Sequence, residues 1–353
     1  MPNAGKSTLF NALTRLNVPA ESYPFCTIDP NIAVVEVDDE RVDLLAKLEG
    51  SKRKIKPSIE FIDIAGLIKG ASKGEGLGNK FLDQIRKVDA ILHVVRGFNN
   101  PNIPNTEKIL DPLKDIETVE TELILADIET INRRFEKKLK PAKSGDKEAI
   151  KELELLDRLK KHLEAGNLAY NFQRNDEENE IIKGLFLLTD KPVIYVLNAD
   201  ENVKNQDFLP YLENITEERN VDLLIVNAKI EEEVKDLPDE EKIAFLEAYG
   251  IKESAIQKVI LTAYQKLNLL TFFTANQNEA RAWSIKKGST AFDAAGLIHT
   301  DMQKGFIKVE VISFEKLENF SNFKEAREKG AVEYHGKDYI VKEGDVLRFL
   351  FKV

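Results

Sequence analysis

The sequence predicts a mixed α/β protein: a sheet of parallel strands with helices on both faces, a long antiparallel helical hairpin inserted into it, and a smaller β-rich domain at the C-terminal end. Three observations carry that prediction. Apolar, strand-length runs at Ile59–Ile62, Ile91–Val95, Val193–Leu197 and Leu223–Ile225 each lead into a polar or glycine-containing loop, the pattern of strands buried on both faces. Residues 112–165 instead carry apolar positions at helical spacing. From Leu269 onward, short alternating runs are separated by turn residues.

Composition bounds the rest. A chain of 353 residues divides into two or three domains at roughly 150 residues each. The 42% hydrophobic and 32% charged residues fit a packed globular protein rather than a disordered one. No run of 18 apolar residues is present, so no membrane span is expected. The opening residues do not read as a signal or transit peptide. The single cysteine, Cys26, excludes a disulfide framework and points to a reducing, cytoplasmic compartment. The net charge of −10 excludes a wholly basic nucleic-acid coat, though not a local basic patch.

The first element is Asn3-Ala4-Gly5-Lys6-Ser7-Thr8, leading into the apolar-periodic Leu9-Phe10-Asn11-Ala12-Leu13. It is the second half of a phosphate-binding loop, G-x-x-x-x-G-K-[ST]. Gly5 admits phosphate close to the backbone, and the N–H groups of residues 3–8 form an anion cradle at a helix start. Lys6 reaches the β- and γ-phosphates, and the Ser7 hydroxyl binds Mg²⁺. The first glycine of the motif and the strand that feeds it would both precede Met1. The fold is therefore expected to lack its first strand. A protein that begins some residues upstream is the first explanation, and a damaged product the alternative.

Three further motifs follow in the order that a GTPase-like fold requires. Thr27, in Tyr23-Pro24-Phe25-Cys26-Thr27, stands about 20 residues after the loop, where a first switch threonine closes onto Mg²⁺. Asp63 ends a strand and reaches Mg²⁺ through water, and Gly66 follows at D-x-x-G spacing to meet the γ-phosphate. Gly70, Gly74, Gly76 and Gly78 make the next stretch permissive, as a second switch needs. Leu67 stands where Ras-like enzymes place a water-orienting glutamine, and it cannot do that work.

Asn198-Ala199-Asp200-Glu201 ends the next strand, where GTPases carry N-K-x-D. The aspartate of that motif reads guanine N1–H and N2–H₂. Glu201 is one methylene longer, and Ala199 replaces the lysine beside the base, which argues against guanine and permits adenine. Asn227 and Ala228 follow the strand Leu223-Leu224-Ile225 and fit the last base-flanking loop.

On Pro2-Asn3-x-Gly5-Lys6-Ser7-Thr8, Tyr23-Pro24-Phe25-Cys26-Thr27, Asp63-Ile64-Ala65-Gly66-Leu67 and Asn198-x-x-Glu201, the chain resembles the YchF/Obg-like ATPase branch of the Obg-related P-loop proteins. The likeness runs from Met1 to Val353. It implies a preference for ATP over GTP, adenine recognition through Asn198 and the backbone at Ala199, and a K⁺ ion beside Asn3. Members often carry a histidine that replaces the missing glutamine. The matching position here is Asn105, which can hold a water but cannot act as a base near neutral pH. The expectation is slow, partner-dependent hydrolysis, with no certain catalytic residue. His93 lies within a strand and reads as structural, and Cys26 reads as a packed small residue rather than a redox sensor.

The hairpin is read from Ile116, Val119, Leu123 and Ala126, from Ile128, Ile131, Phe135 and Leu139, and from Ile150, Leu153, Leu156, Leu159 and Leu163, with a turn near Ser144-Gly145. Arg133, Arg134, Lys137 and Lys138, with Lys140, Lys143 and Lys147, give it a basic end suited to a phosphate backbone. In the C-terminal part, Arg281–Ile285, Phe306–Val311 and Asp345–Phe351 read as strands and Thr290–Ile298 as a helix. Val332–Tyr334 and Tyr339–Val341 flank Gly336 as a hairpin. A small sheet with one helix suggests a β-grasp. Arg281-Ala282-Trp283 and His299-Thr300-Asp301-x-x-Lys304-Gly305 resemble the family's TGS domain, a binding module, with His299 structural or partner-facing.

The expected division is therefore 1–111 with 176–268 for the nucleotide domain, 112–175 for the hairpin and 269–353 for the TGS domain. The expected function is an Mg²⁺-dependent, slowly hydrolysing ATP switch. It binds ribosomes through the hairpin and the TGS domain, with no membrane and no DNA partner, and monomer is the default state. The alternatives are an Obg-group GTPase and a non-hydrolysing nucleotide-regulated adaptor.

Overall fold

The computed structural model describes residues 3–14, 31–64, 77–100, 110–200, 203, 206–234, 237–238, 241, 244–245 and 254–352. The chain separates into two compact units, 1–12 with 62–263 and 13–61 with 264–353.

In the first unit, strands β4 (Ile91–Gly97), β5 (Val193–Ala199) and β6 (Asp222–Val226) form a parallel ladder in the order β4-β5-β6. The register sets Val95 against Leu197 and Leu197 against Ile225. The middle strand is buried from Ile194 to Ala199, as its unbroken apolar run requires. Helix α4 (Pro112–Lys143) and helix α7 (Phe208–Glu218) cover one face. Ile116 and Leu212 meet Val95, Tyr195 and Leu197 there. Helix α3 (Leu77–Lys87) packs Leu82 and Ile85 with Val119 and Leu123 of α4.

The inserted hairpin is α4 followed by α5 (Lys147–Glu164). Asp111 caps α4 through the Lys114 N–H with Pro112 at the first turn, and Asp146 caps α5 through the N–H groups of Glu148 and Ala149. The 32 residues of α4 extend about 48 Å. Ile131, Leu156, Leu159 and Leu163 are fully buried along the seam, together with Ile182 of helix α6 (Asp176–Lys183). The turn falls at Ser144-Gly145, where Gly145 takes φ +88°. The basic end is less free than its sequence suggests. Arg134 and Lys138 both bind Glu152 of α5, at 2.5 and 2.7 Å, and so hold the two helices together. Arg133 and Lys137 are exposed and make no ion pair among the described residues.

Two buried carboxylates fix α4 to the segments that succeed the hairpin. Asp127 is fully buried. Its two oxygens accept the N–H groups of Leu188 and Thr189, both at 2.8 Å, and the Thr189 hydroxyl at 2.7 Å. Glu120 accepts the Tyr195 hydroxyl and the Arg219 guanidinium. Burial and the neighbouring Glu120 charge push the Tyr195 hydroxyl well above its ordinary pKa.

His93, on β4, packs edge-on against Tyr195 with ring centroids 5.7 Å apart. Its Nε2 is the buried side-chain polar atom without a partner among the described residues. Desolvation pushes its pKa from 6.5 down to about 3, so the folded chain keeps the imidazole neutral. The unfolded chain binds the extra proton, and the stability is full above pH 6.5 and falls as pH drops towards 3. A group so shifted costs about 1.4 kcal/mol per pH unit in that window. Urea unfolding of wild type and His93→Leu at pH 7.5 and 5.5 is expected to show wild type losing about 1 kcal/mol more than the variant.

The second unit holds β1 (Ile32–Glu36) and β3 (Ser58–Ile62), neighbours in a two-stranded ladder. It also holds a six-stranded sheet made of β2 (Arg53–Ile55), β7 (Leu269–Ala275), β8 (Glu279–Lys286), β9 (Phe306–Ser313), β10 (Glu333–His335) and β11 (Asp345–Phe351). Their order is β10-β9-β11-β7-β8-β2. The parallel pair β7 and β11 is central, with an antiparallel partner on each side, the arrangement expected of a β-grasp. One face is covered by α10 (Ala291–Ile298), whose Ala291 and Ala294 pack with Phe272, Val309 and Leu347. The other is covered by α2 (Glu40–Glu49), α12 (Phe314–Leu317) and α13 (Phe323–Glu328).

Two departures from the sequence reading occur in this sheet. β2 lies parallel to β8, with Arg53 opposite Glu279, and α2 buries Val42, Leu45 and Ala46 against Phe273, Ala282 and Val346. A segment far upstream thus completes the C-terminal sheet. The hairpin expected around Gly336 does not form. β10 pairs with β9, and Ile340 bridges Thr290. The chain after Gly336 instead runs along the start of α10, where the Ala291 and Phe292 N–H groups bond to Tyr339 and Lys337 carbonyls at 2.7 and 3.2 Å. His299 has a local structural part. Its Nδ1 accepts the Asp301 N–H at 3.1 Å and caps the short helix α11 (Thr300–Lys304).

Candidate functional site

The site is built on the turn that opens helix α1 (Lys6–Thr14). Asn3 and Gly5 both lie in the left-handed region, at φ +61° and +86°, on either side of Ala4. Alternating handedness turns successive N–H groups to one side of the chain and makes an anion-binding concavity. Asparagine tolerates that conformation, and glycine adopts it without strain. The Leu9 N–H closes the first helical bond on the Gly5 carbonyl at 3.0 Å. A Cβ on Gly5 would sit 2.0 Å from the Asn198 amide nitrogen, so the close approach itself requires glycine.

Asn198, at the end of β5, is 7% exposed. Its Nδ2 donates to the Ala4 carbonyl at 3.0 Å, and its Oδ1 accepts the Ala228 N–H at 3.0 Å. One side chain therefore ties the phosphate loop to the loop after β6. One Nδ2 hydrogen and one Oδ1 lone pair remain for a ligand. Ala199 is buried behind it. Asn227 caps helix α8 (Ala228–Glu233) by accepting the Ile230 N–H at 3.2 Å, so its role here is to fix that loop. Glu231 of α8 in turn accepts the Ala255 N–H at 2.6 Å, at the start of helix α9 (Ala255–Lys266).

Lys6 extends from the start of α1 and pairs with the carboxylate of Asp63, the residue after β3. The structure thus brings together the lysine expected to meet phosphate and the carboxylate expected to hold a metal. Ser7 is exposed in the first turn of α1 and Thr8 is half-buried. A hydroxyl and a carboxylate are hard oxygen donors, the chemistry that suits Mg²⁺ when substrate phosphates and water supply the other positions. No cluster of three His, Cys, Asp or Glu that could hold a metal ion occurs among the described residues, and such a site does not need one. The glycine cradle, Lys6, Ser7 and Asp63 fit a magnesium nucleotide. Thr27, Gly66, Leu67, Asn105, Glu201 and Cys26 lie outside the described residues.

The sequence reading missed Arg96. This residue is 4% exposed, stands opposite Asn198 in the β4–β5 register, donates to the Phe98 carbonyl at 3.1 Å and places its guanidinium 4.6 Å above the Phe98 ring. Only its place at the end of a buried strand could have drawn attention to it. The tie made by Asn198 was also missed, because a motif gives spacing and not the partner of each lone pair.

This loop, with its lysine, carboxylate and asparagine at the strand ends of a parallel α/β ladder, defines a P-loop nucleotide-binding protein of the GTPase-like class. The chain matches a family model described as "50S ribosome-binding GTPase" over residues 1–127. Over residues 269–352 it matches the YchF-GTPase C-terminal model, described as "Protein of unknown function (DUF933)". It is 45% identical over 357 residues to the ribosome-binding ATPase YchF of Bacillus subtilis and 46% identical over 354 residues to that of Haemophilus influenzae. Each alignment covers 100% of this chain and 98% of the relative. The solved Schizosaccharomyces pombe YchF GTPase superposes with a TM-score of 0.88 at 35% identity, covering 99% of this chain and 96% of that one. The chain belongs to the YchF family.

Proposed function

We propose that this protein binds ATP with Mg²⁺, hydrolyses it slowly, and uses the nucleotide state to control association with ribosomes. The observation that carries the reading is the loop in which Gly5 and Asn198 interlock while Lys6 and Asp63 converge. In it, the N–H groups of residues 3–8 and the Lys6 ammonium hold the phosphates. Ser7, Thr27 and Asp63 hold Mg²⁺, which supplies charge neutralisation on the phosphate oxygens. Gly66 contacts the γ-phosphate. The base lies against Asn198, Ala199, Glu201, Asn227 and Ala228, where Glu201 favours adenine. K⁺ beside Asn3 is part of the same reading. Leu67 and Asn105 supply no general base, so a partner is expected to raise the rate. The sequence divisions 1–111 with 176–268, 112–175 and 269–353, with the last as the TGS module that α2 and β2 complete, belong to this reading. So do a cytoplasmic location and a monomeric state.

The relatives named ribosome-binding ATPases support the ribosome as partner. Cosedimentation with purified ribosomes is expected to differ at least fivefold between an ATP analogue and ADP. Equal sedimentation in both states would overturn the switch. Lys6→Ala is expected to abolish that difference.

The basic face of the hairpin gives a sharper expectation. Arg133→Glu with Lys137→Glu should weaken ribosome binding about tenfold at low salt and much less at high salt, because exposed cations act through screened charge. Arg134→Ala or Lys138→Ala should instead loosen the hairpin through Glu152. A salt titration of ribosome cosedimentation separates the two effects.

A GTPase is the second reading, favoured by the name of the solved relative, "YchF GTPase". Competition between ATP and GTP for one labelled nucleotide distinguishes them.

A further inference from the structure

The central strands of the C-terminal sheet differ in reach. β7 and β11 share one register pair, Phe273 with Val346, and β11 continues to Phe351 while the chain after β7 turns away at Asn276. The direction of the β11 backbone groups follows from the hydrogen bonds at its ends. The Phe314 N–H bonds to the Gly344 carbonyl and the Lys352 N–H to the Gly305 carbonyl, so even-numbered positions face β9. Strand alternation then turns the N–H and C=O groups of Phe349 and Phe351 to the β7 side. Among the described residues no backbone bond from the chain after β7 reaches the Phe349 carbonyl or the Phe351 N–H and carbonyl there, while the Phe349 N–H lies in register with the carbonyl of Ala275, the last residue of β7.

A cavity of about 950 Å³ occupies that notch. Leu48, Asn322 and Lys324 enter it from the face covered by α2 and α13, and Trp283, Ile298 and Met302 from the face covered by α10. A cavity lined from both faces of one sheet is a gap at the sheet's end, with Leu48 on one side of the backbone edge and Trp283, Ile298 and Met302 on the other.

The charges at its rim are unequal. Glu49 is taken by Arg348 at 2.8 Å, and Glu279 lies near Arg53 and Arg281 at 3.6 and 3.9 Å. Lys47 is exposed and makes no hydrogen bond or ion pair among the described residues, and Lys324 has only a 3.9 Å contact with Glu328. The Trp283 ring already has two partners. The Arg281 guanidinium lies 4.0 Å from its centroid, and the Phe272 ring is nearly parallel at 6.3 Å.

We propose that this notch docks an extended acidic peptide segment of a partner protein, which joins the sheet as a strand along the free edge of β11. Backbone bonds to the Phe349 carbonyl and to Phe351 give affinity, alternate apolar side chains fill the cavity, and Lys47 and Lys324 select acidic sequences. The proposal goes beyond the nucleotide reading and does not rest on it.

The test uses the full chain and a fluorescein-labelled, end-capped hexapeptide, Glu-Val-Asp-Val-Glu-Val. Fluorescence anisotropy is compared with an alternately N-methylated copy and with Lys-Val-Lys-Val-Lys-Val. Both controls are expected to bind at least tenfold more weakly, as is the parent peptide to the exposed-site variant Lys47→Glu/Lys324→Glu. Amide exchange at Phe351 is expected to slow at least tenfold with peptide. Equal binding of the N-methylated copy, or unchanged exchange at Phe351, overturns the proposal. So does displacement of the peptide by oligouridylate with protection of the same amide, which makes the notch a nucleic-acid site. Protection that rises with protein concentration alone also overturns it, in favour of a second copy.

Discussion

Gly5→Ala is expected to abolish measurable ATP binding while the hairpin and the C-terminal sheet stay folded. The left-handed φ of +86° costs an alanine about 1–2 kcal/mol. The larger effect is steric, because the new Cβ would lie 2.0 Å from the Asn198 amide nitrogen. Asn198 must move, and its bonds to the Ala4 carbonyl and the Ala228 N–H, both 3.0 Å, break together. Leaving two buried backbone groups unpaired costs about 1–3 kcal/mol each. The sum, roughly 3–8 kcal/mol, exceeds a hundredfold in affinity. Calorimetric titration with Mg-ATP checks it, and binding within threefold of wild type would contradict it. Asn198→Ala should lose less, because it removes the tie without inserting an atom into the loop.

Asp127→Ala is expected to give the largest loss of stability in the first unit. The carboxylate is fully buried and receives three donors from Leu188 and Thr189. Alanine leaves all three without an acceptor and opens a cavity, a cost of about 3–5 kcal/mol. The midpoint of thermal unfolding should fall by roughly 10 °C. Asp127→Asn should fall part of the way, because its amide oxygen still accepts while its NH₂ faces a donor. Differential scanning calorimetry of the three proteins measures both. A fall below about 3 °C for alanine would mean that water or a backbone shift replaces the carboxylate.

Much of this architecture can be read from residues. The 3–4 spacing of Ile116 through Ala126 and of Ile150 through Leu163 gives the hairpin, because a helix face must repeat locally. Asp63, Asn198 and Gly5 fall at strand or helix ends where the motif spacing places them. What the sequence hides is non-local. Arg53-Lys54-Ile55 is three residues long and two-thirds basic, and no local pattern says that it pairs with β8. The charges on Arg134 and Lys138 look like a free patch until Glu152, on the other helix, is seen between them. Gly336 is a good turn residue, but turn chemistry does not choose which strand comes after it. In the site, spacing located Asn198 but could not reveal that both ends of its amide are engaged.

The P-loop site is expected above all to prefer adenine over guanine. Its most direct test is isothermal titration of ATP and of GTP, each with Mg²⁺, into the same protein, repeated with Lys6→Ala. ATP is expected to bind at least tenfold more tightly than GTP, and Lys6→Ala to weaken ATP by one to two orders of magnitude, the worth of a charge-assisted phosphate contact. Tighter binding of GTP, or ATP binding untouched by Lys6→Ala, would contradict an adenine-selective P-loop.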